Sequence, residues 1–253
     1  MKLEVICRSN KLPAIYQNRF YSLIQREIEK ASFEMKKEQG LKTTLFSFAY
    51  LFDKSIEKKC NIKLNNLLEI QDTYFELFDK QKFVIRSVNE NFLKYLFTAF
   101  TYLDTFDFSE FSNFTINNSK VFIKFDKVRL ISEKNIEENQ IKLKTLSPIL
   151  LSDSKNNELN IFNDFDLYQE NFSKRCALKI HNIKKRLPYQ DIKIFPVNIL
   201  PSKTKIIFKN ELLTFNGFSG EFILEGDYKD LDILFKVGIG SRNSQGFGMI
   251  DLI

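Results

Sequence analysis

Half of the glycines in this chain lie within eleven residues of one another: Gly238, Gly240, Gly246 and Gly248, out of eight in 253 residues. Glycine tolerates positive φ and lets another backbone come close, so this run constrains the path of the chain more than any other stretch does. Between the glycines stand Ser241, Arg242, Asn243, Ser244 and Gln245. These are hydrogen-bond donors around one fixed charge, a set suited to phosphate and ribose oxygens. Before the loop, Asp227 can cap a short helix carrying Leu231, Leu234 and Phe235, with Gly238 as its left-handed stop; after it, residues 247–253 alternate as a strand. The order helix, glycines, strand is the reverse of a dinucleotide-binding fingerprint, so no nucleotide cofactor is expected. Two readings stay open for the loop: a cradle for a polyanion, and a tight connection that needs glycine only for its path.

Upstream, the pattern reads as one plan used twice. Residues 1–7 alternate as a strand, Pro13 stands where a helix would begin, and Phe20, Leu23, Ile24, Ile28 and Ala31 recur at helical spacing, flanked by a basic stripe of Arg19, Arg26 and Lys30. A polar loop over 32–44 holds Lys36, Lys37 and Lys42. Strands are expected over 45–52 and 74–85, a helix through Phe92, Leu93, Leu96, Phe97, Phe100 and Leu103, and a strand over 120–131. Strand, helix, strands, helix, strand is the ferredoxin-like order of RNA-recognition domains. The second half repeats it: a strand over 141–151, a helix capped by Asp164 with Tyr168, Phe172, Cys176, Ile180 and Ile183 on one side, strands over 203–215 and 220–226, then the short helix and closing strand. The fold expected is α+β, with tandem ferredoxin-like domains at 1–131 and 140–253, a polar linker at 132–139, and the glycine loop at 238–248 before the last strand.

Charge is unevenly spread. From Lys174 to Lys209 ten basic residues face a single acid, Asp191, although the net charge of the whole chain is only +6. Such a local excess is the footprint of a nucleic-acid face, and Lys184, Lys185, Arg186, Lys203 and Lys205 join the loop residues as RNA-binding candidates; a solvated surface is the plainer alternative. Three scattered cysteines (Cys7, Cys60, Cys176) and one histidine offer no metal-ligand spacing, so no metal site is expected and the thiols are expected to be buried. No apolar run is long enough for a membrane span and the first residues lack a secretion signal, so a cytoplasmic protein without a membrane partner is expected.

The pattern Gly-x-Gly-x-x-Asn-Ser-x-Gly-Phe-Gly near the end of a basic chain resembles the signature loop of the CRISPR repeat-RNA-processing endoribonucleases of the RAMP superfamily. Residues 1–7, 45–52 and 144–149 fit that family in the same order. The resemblance implies tandem ferredoxin-like domains, CRISPR repeat RNA as partner, possible association with effector-complex subunits, a monomer or homodimer, and metal-independent cleavage in which a ribose 2′-hydroxyl attacks the neighbouring phosphate. It also implies a histidine in the loop after the first helix, which this chain lacks; the matching stretch offers Lys36, Lys37 and Lys42, beside Arg26, with Tyr16 as a group that could orient the hydroxyl. His181 falls instead in the helix of the second half. The alternatives are a non-catalytic RAMP subunit that holds guide RNA, and an unrelated RNA-binding protein with tandem recognition domains.

Overall fold

The computed structural model describes residues 1–31, 45–64, 68–111, 114–208 and 211–253. In chain order the elements are β1 (Lys2–Arg8), β2 (Lys11–Pro13), α1 (Gln17–Glu29), β3 (Phe46–Leu51), β4 (Ser55–Leu64), β5 (Leu68–Leu77), β6 (Gln81–Ser87), α2 (Glu90–Thr101), β7 (Thr105–Asp107), β8 (Thr115–Ile116) and β9 (Phe122–Ile131) in the first half. The second half holds β10 (Gln140–Thr145), α3 (Phe165–Lys184), β11 (Lys193–Phe208), β12 (Glu211–Glu225), α4 (Tyr228–Val237) and β13 (Ile250–Leu252).

Two antiparallel sheets carry the same topology. The first runs β3-β6-β1-β9-β7 and the second β11-β12-β10-β13. If the four strands of each βαββαβ unit are numbered in chain order, both sheets read second, third, first, fourth. That is the ferredoxin-like arrangement, present twice as the sequence expects. A third sheet, β2-β5-β4-β8, is added to the first half.

Helix α1 forms because Phe20, Leu23, Ile24 and Ile28 make one fully apolar stripe, and all four are buried. Phe20 packs on Phe83 at 4.5 Å and Tyr50 at 4.8 Å between ring centroids, in a core dominated by phenylalanine. The helix does not start at Pro13. That residue sits in β2, an edge strand, where its missing N–H leaves no ladder bond unmade. The stretch 74–85 is likewise not one strand: it covers the end of β5, a turn, and β6.

In the second half, the Asp164 carboxylate accepts the Leu167 N–H at 2.9 Å and starts α3, whose Tyr168, Phe172, Cys176 and Ile180 are buried at four-residue spacing. Asp227 caps α4 through the Lys229 N–H at 3.0 Å. The stretch 203–215 covers the far ends of two long paired strands, β11 and β12, with Phe208 opposite Glu211. Only residues 221–225 of β12 pair with β10, so the rest of the hairpin runs on past the sheet. The closing strand is shorter than the 247–253 alternation implies, since Phe247 and Met249 turn into separate apolar clusters.

The halves meet along β6 and β13. Arg86, whose side chain is only 1 % exposed, donates from Nε and Nη2 to Glu133 Oε1 (2.9 and 2.6 Å), from Nη2 to Asp251 Oδ1 (2.8 Å) and from Nη1 to the Ile250 carbonyl. Its guanidinium lies 4.3 Å from the Phe235 ring centroid. Ala49, Val84 and Met249 bury a small apolar patch beside it. Residues 132–139 take no strand or helix, yet Ile136 is buried and its N–H donates to Asp232 Oδ1 at 3.2 Å.

Candidate nucleic-acid interface

The glycine loop is built on its own backbone. α4 stops at Gly238 (φ 81°), and Arg242 also takes a left-handed conformation (φ 58°), which throws its side chain outward. Asn243 is the hub: its Nδ2 donates to the carbonyls of Ile239 (2.7 Å) and Phe247 (3.0 Å), clamping the two arms of the loop together. Lys179 of α3 reaches underneath, its Nζ donating to Gly238 O at 2.8 Å and to Asn243 Oδ1. At Gly248 (φ 67°) a Cβ would stand 1.9 Å from the Ile239 carbonyl oxygen, and at Gly246 (φ 90°) one would stand 2.6 Å from the Phe48 ring of the first half. A Cβ at Gly240 would meet the Leu150 carbonyl oxygen in the same way. The close approaches that require these glycines are therefore made by protein atoms, where the residue types alone suggest a phosphate.

Of the five polar residues between the glycines, Ser241 and Asn243 are buried, Arg242 is exposed, and Ser244 and Gln245 are half-buried. Ser241 is buried, its Oγ accepting the Ser152 N–H at 3.2 Å, and Asn243 is spent on the clamp. Arg242 is exposed, lies 4.4 Å from the Phe215 ring centroid and donates to Gln245 Oε1 at 3.2 Å. Ser244 is half-buried. Both open on a cleft of about 500 Å³ between the loop, α3 and the start of β3, which Arg175, Lys179 and Asn182 also line. Arg175 donates to the Ser152 carbonyl at 3.0 Å, so its guanidinium is fixed at the cleft wall. Burial lowers the Lys179 ammonium from its ordinary value to about 7. Arg175, Lys179 and Asn182 do not stand out in the sequence, although their spacing of four and three puts them on one helix face.

The other sequence candidates are distributed elsewhere. Lys184 and the left-handed Lys185 (φ 57°) are exposed at the end of α3. Arg186 is not available in the same way: its Nη2 donates to the fully buried Asp230 at 2.7 Å, and its guanidinium covers the Tyr189 ring at 3.6 Å. Lys203 is exposed on the hairpin, whereas Lys205 donates to Asp72 Oδ1 of the first half at 2.8 Å and ties the hairpin across. Arg26 and Lys30 of the basic stripe on α1 are neutralised by Glu27 of the same helix and, for Arg26, by the distant Glu110. Arg26 donates to Glu27 Oε1 (2.9 Å) and to Glu110, Lys30 to Glu27 (2.8 Å). Arg19 is buried 5.0 Å from the Phe114 ring centroid, and burial lowers it to about 10. Tyr16 packs edge-on against Phe20, and burial raises its hydroxyl to about 12, a poor setting for a proton acceptor near neutrality. His181 is exposed on α3 and does not line the cleft. Lys36, Lys37 and Lys42 lie outside the described residues; Leu45, which follows that stretch, lines the cleft.

All three cysteines are buried. Among the described residues no group of three His, Cys, Asp or Glu side chains could hold a metal ion, and no helix is long and apolar enough to cross a membrane.

Residues 131–252 match the family model described as "CRISPR associated protein Cas6, C-terminal". No curated protein matches the sequence. Among solved structures, one described as "An RAMP protein binding different RNA substrates" superposes with a TM-score of 0.75 at 19% identity, covering 100% of this chain and 99% of the other. A second, from "Characterization of a Cas6-related gene from Pyrococcus furiosus", gives 0.76 at 19% identity, covering 100% and 98%. A third, "CRISPR associated protein Cas6", gives 0.71 at 19% identity, covering 100% and 99%. At this identity the superpositions establish the shared tandem fold over the whole chain.

Proposed function

We propose, for a chain whose residues 131–252 match the model of the Cas6 C-terminal region, that it binds CRISPR repeat RNA and cuts it into guide RNAs. In this reading residues 1–131 and 140–253 are two RNA-recognition units joined by 132–139, and the RNA backbone crosses the cleft beside the glycine loop. The observation that carries the reading is the wall of that cleft: Arg242, Arg175 and Lys179 with Ser244 and Asn182, five donor-bearing side chains that line one concave surface. The glycines contribute by holding Arg242 out and seating the loop on Phe48, and Asn243 by clamping it, so the loop is a rigid platform for a phosphate.

The chemistry proposed is attack of the ribose 2′-oxygen on the adjacent phosphate as its hydroxyl gives up a proton; the bond from phosphorus to the 5′-oxygen breaks, that oxygen takes a proton and leaves as a 5′-hydroxyl, and a 2′,3′-cyclic phosphate is left upstream. Cations beside the phosphate stabilise the charge that builds on its oxygens, a role for Arg242 at the cleft and for Lys36, Lys37 and Lys42 in the segment leading to Leu45. Purified protein with repeat RNA and excess EDTA is the test. Cleavage that persists in EDTA, leaves a cyclic phosphate and is blocked by a 2′-deoxy nucleotide at the scissile position fits; a requirement for magnesium overturns the mechanism. Alanine at Lys36, Lys37 or Lys42 is expected to slow cutting by roughly 10²-fold or more, and His181→Ala to leave it near wild type. The missing loop histidine favours one second reading, a RAMP subunit that holds RNA without cutting it, alone or within an effector complex. Tight, specific binding with no cleavage under any condition selects that reading.

A further inference from the structure

The outer face of the first sheet is covered at one end and open at the other. Near the start of β1 it is closed by the second half, through Ala49, Val84, Met249 and the Arg86 network. Six residues further along β1, about 20 Å at the rise of a strand, it is bare. Here Arg8 and Lys124 are directly paired on β1 and β9. Along β9 the buried Ile123 and Phe125 alternate with exposed Phe122, Lys124 and Asp126, so these three share the outer face; the bond from Arg8 Nη2 to Asp126 Oδ1 (2.7 Å) places Arg8 with them.

A cleft of about 540 Å³ opens at this end, and its lining holds four cations, Arg8, Lys11, Lys120 and Lys124, with Phe122 and no acid. Asp126 partly neutralises Arg8, and Asp107 stands 3.4 Å from Lys120. Among the described residues Lys11 and Lys124 make no salt bridge: Lys11 Nζ lies 5.8 Å from the Tyr74 ring centroid, and Lys124 acts on Asp126 only at longer range, behind Arg8. The rim is held in place: the Ser9 N–H donates to Gln81 Oε1 at 2.7 Å, and Ser9 Oγ lies 2.7 Å from the Lys11 carbonyl oxygen and 2.9 Å from that of Phe122. Phe122 is 51 % exposed although this half of the molecule buries phenylalanine throughout its core. A half-bare aromatic ring on a sheet face, ringed by cations, is a stacking platform beside phosphate-binding charges.

We propose that this open end of the first sheet is a second RNA-contacting site, where Lys11 and Lys124 take the phosphodiester backbone and Phe122 stacks a base of a single-stranded segment lying beyond the glycine-loop cleft. The inference rests on the RNA-binding reading above and adds to it a footprint longer than that cleft. Affinity for single-stranded repeat segments should then rise in two stages with RNA length.

The test is fluorescence anisotropy with single-stranded RNAs of increasing length, at several salt concentrations, on the full chain and on Lys11→Gln/Lys124→Gln, Phe122→Ala and Arg242→Ala variants checked for unchanged thermal unfolding. With long RNAs the double variant is expected to bind more weakly and to lower the salt slope by roughly 1.4, about 0.7 for each single-strand phosphate that the missing lysines leave without a cation. Phe122→Ala should weaken binding at least about fivefold. With RNAs short enough to fill only the glycine-loop cleft, both should match the unaltered protein, while Arg242→Ala weakens every length. An unaltered protein that binds RNA, together with a double variant whose affinity and salt slope equal it at all lengths, overturns this site alone. An unaltered protein that binds no RNA overturns the RNA reading itself.

Discussion

Gly248 and Lys179 show how much the loop depends on single atoms. A methyl group at Gly248 would sit 1.9 Å from the Ile239 carbonyl oxygen at a φ of 67°, so Gly248→Ala must move the loop or break it. Destabilisation of more than about 1 kcal/mol is expected, a fall of at least ~2–4 °C in Tm for a chain of this size; an unchanged Tm with full RNA affinity would show that the loop has slack. Lys179 makes the cleft pH-sensitive. Its ammonium titrates near 7 because burial disfavours the charge, so the attraction to phosphate is present below that pH and fades as pH rises through it, while ordinary lysines stay charged to about 10.4. RNA affinity at fixed salt is therefore expected to fall between about pH 6 and 8.5 and to flatten in Lys179→Arg. The stability term has the opposite slope: above about 7 the unfolded chain holds a proton that the folded one has released, so this residue's contribution to stability rises with pH. None of this was legible from Asn243 or Gly248 as letters. Their types marked the loop, but which way an amide points depends on chain segments far away in sequence.

At the scale of elements, periodicity located α1, α2, α3 and α4 because each buries one stripe, and the caps Asp164 and Asp227 were readable from their positions before the apolar runs. Counting charge was less faithful. Lys174 to Lys209 looked like one basic face, yet the acids that consume Arg186 and Lys205 are Asp230 and Asp72, on α4 and β5. The end of α3 therefore divides. Reversing the exposed Lys184 and Lys185 to glutamate is expected to weaken binding to all RNAs alike and lower the salt slope without moving Tm. Arg186→Ala should do the opposite, costing about 2 kcal/mol because it leaves the buried Asp230 without its cation; partial exposure of Arg186 keeps the figure below that of a fully buried pair. Denaturant unfolding and a salt titration on the two variants separate the roles, and equal effects on both readouts would erase the distinction. The hairpin was missed for a related reason: residues 203–215 contain no glycine or proline to separate β11 from β12, so their apolar positions read as one strand.

For the whole molecule, the repeated order of strands and helices was enough to expect two ferredoxin-like units, since that order restricts an antiparallel sheet to few topologies. The added sheet of β2, β4, β5 and β8 was not foreseen: β2 and β8 have three and two residues, too few for a period to show, and the alternation in β4 does not say which strands it pairs with. Nor was the joint between the halves. Arg86 lies inside β6, where an isolated arginine reads as an outward-facing residue, but it is the fully buried hub for Glu133, Asp251 and the Ile250 carbonyl. Its removal should be felt in both halves. β13 follows the glycine loop directly, so a loosened β13 also frees the loop from Phe48 and slackens the cleft wall that carries Arg242. Arg86→Met keeps the apolar stem over Phe235 but strands the carboxylate of Glu133 from all but the looser ammonium groups of Lys2 (3.6 Å) and the N-terminus (3.9 Å), and a loss of about 2 kcal/mol is expected, together with weaker RNA binding. Adding Glu133→Gln removes the stranded charge and should recover part of the stability while leaving the hydrogen bonds to β13 unmade, so RNA affinity should recover less than Tm does. Full recovery of both would mean that the charge alone was at fault and that Arg86 does not position the loop; no loss of stability in Arg86→Met would mean that the halves hold together without it.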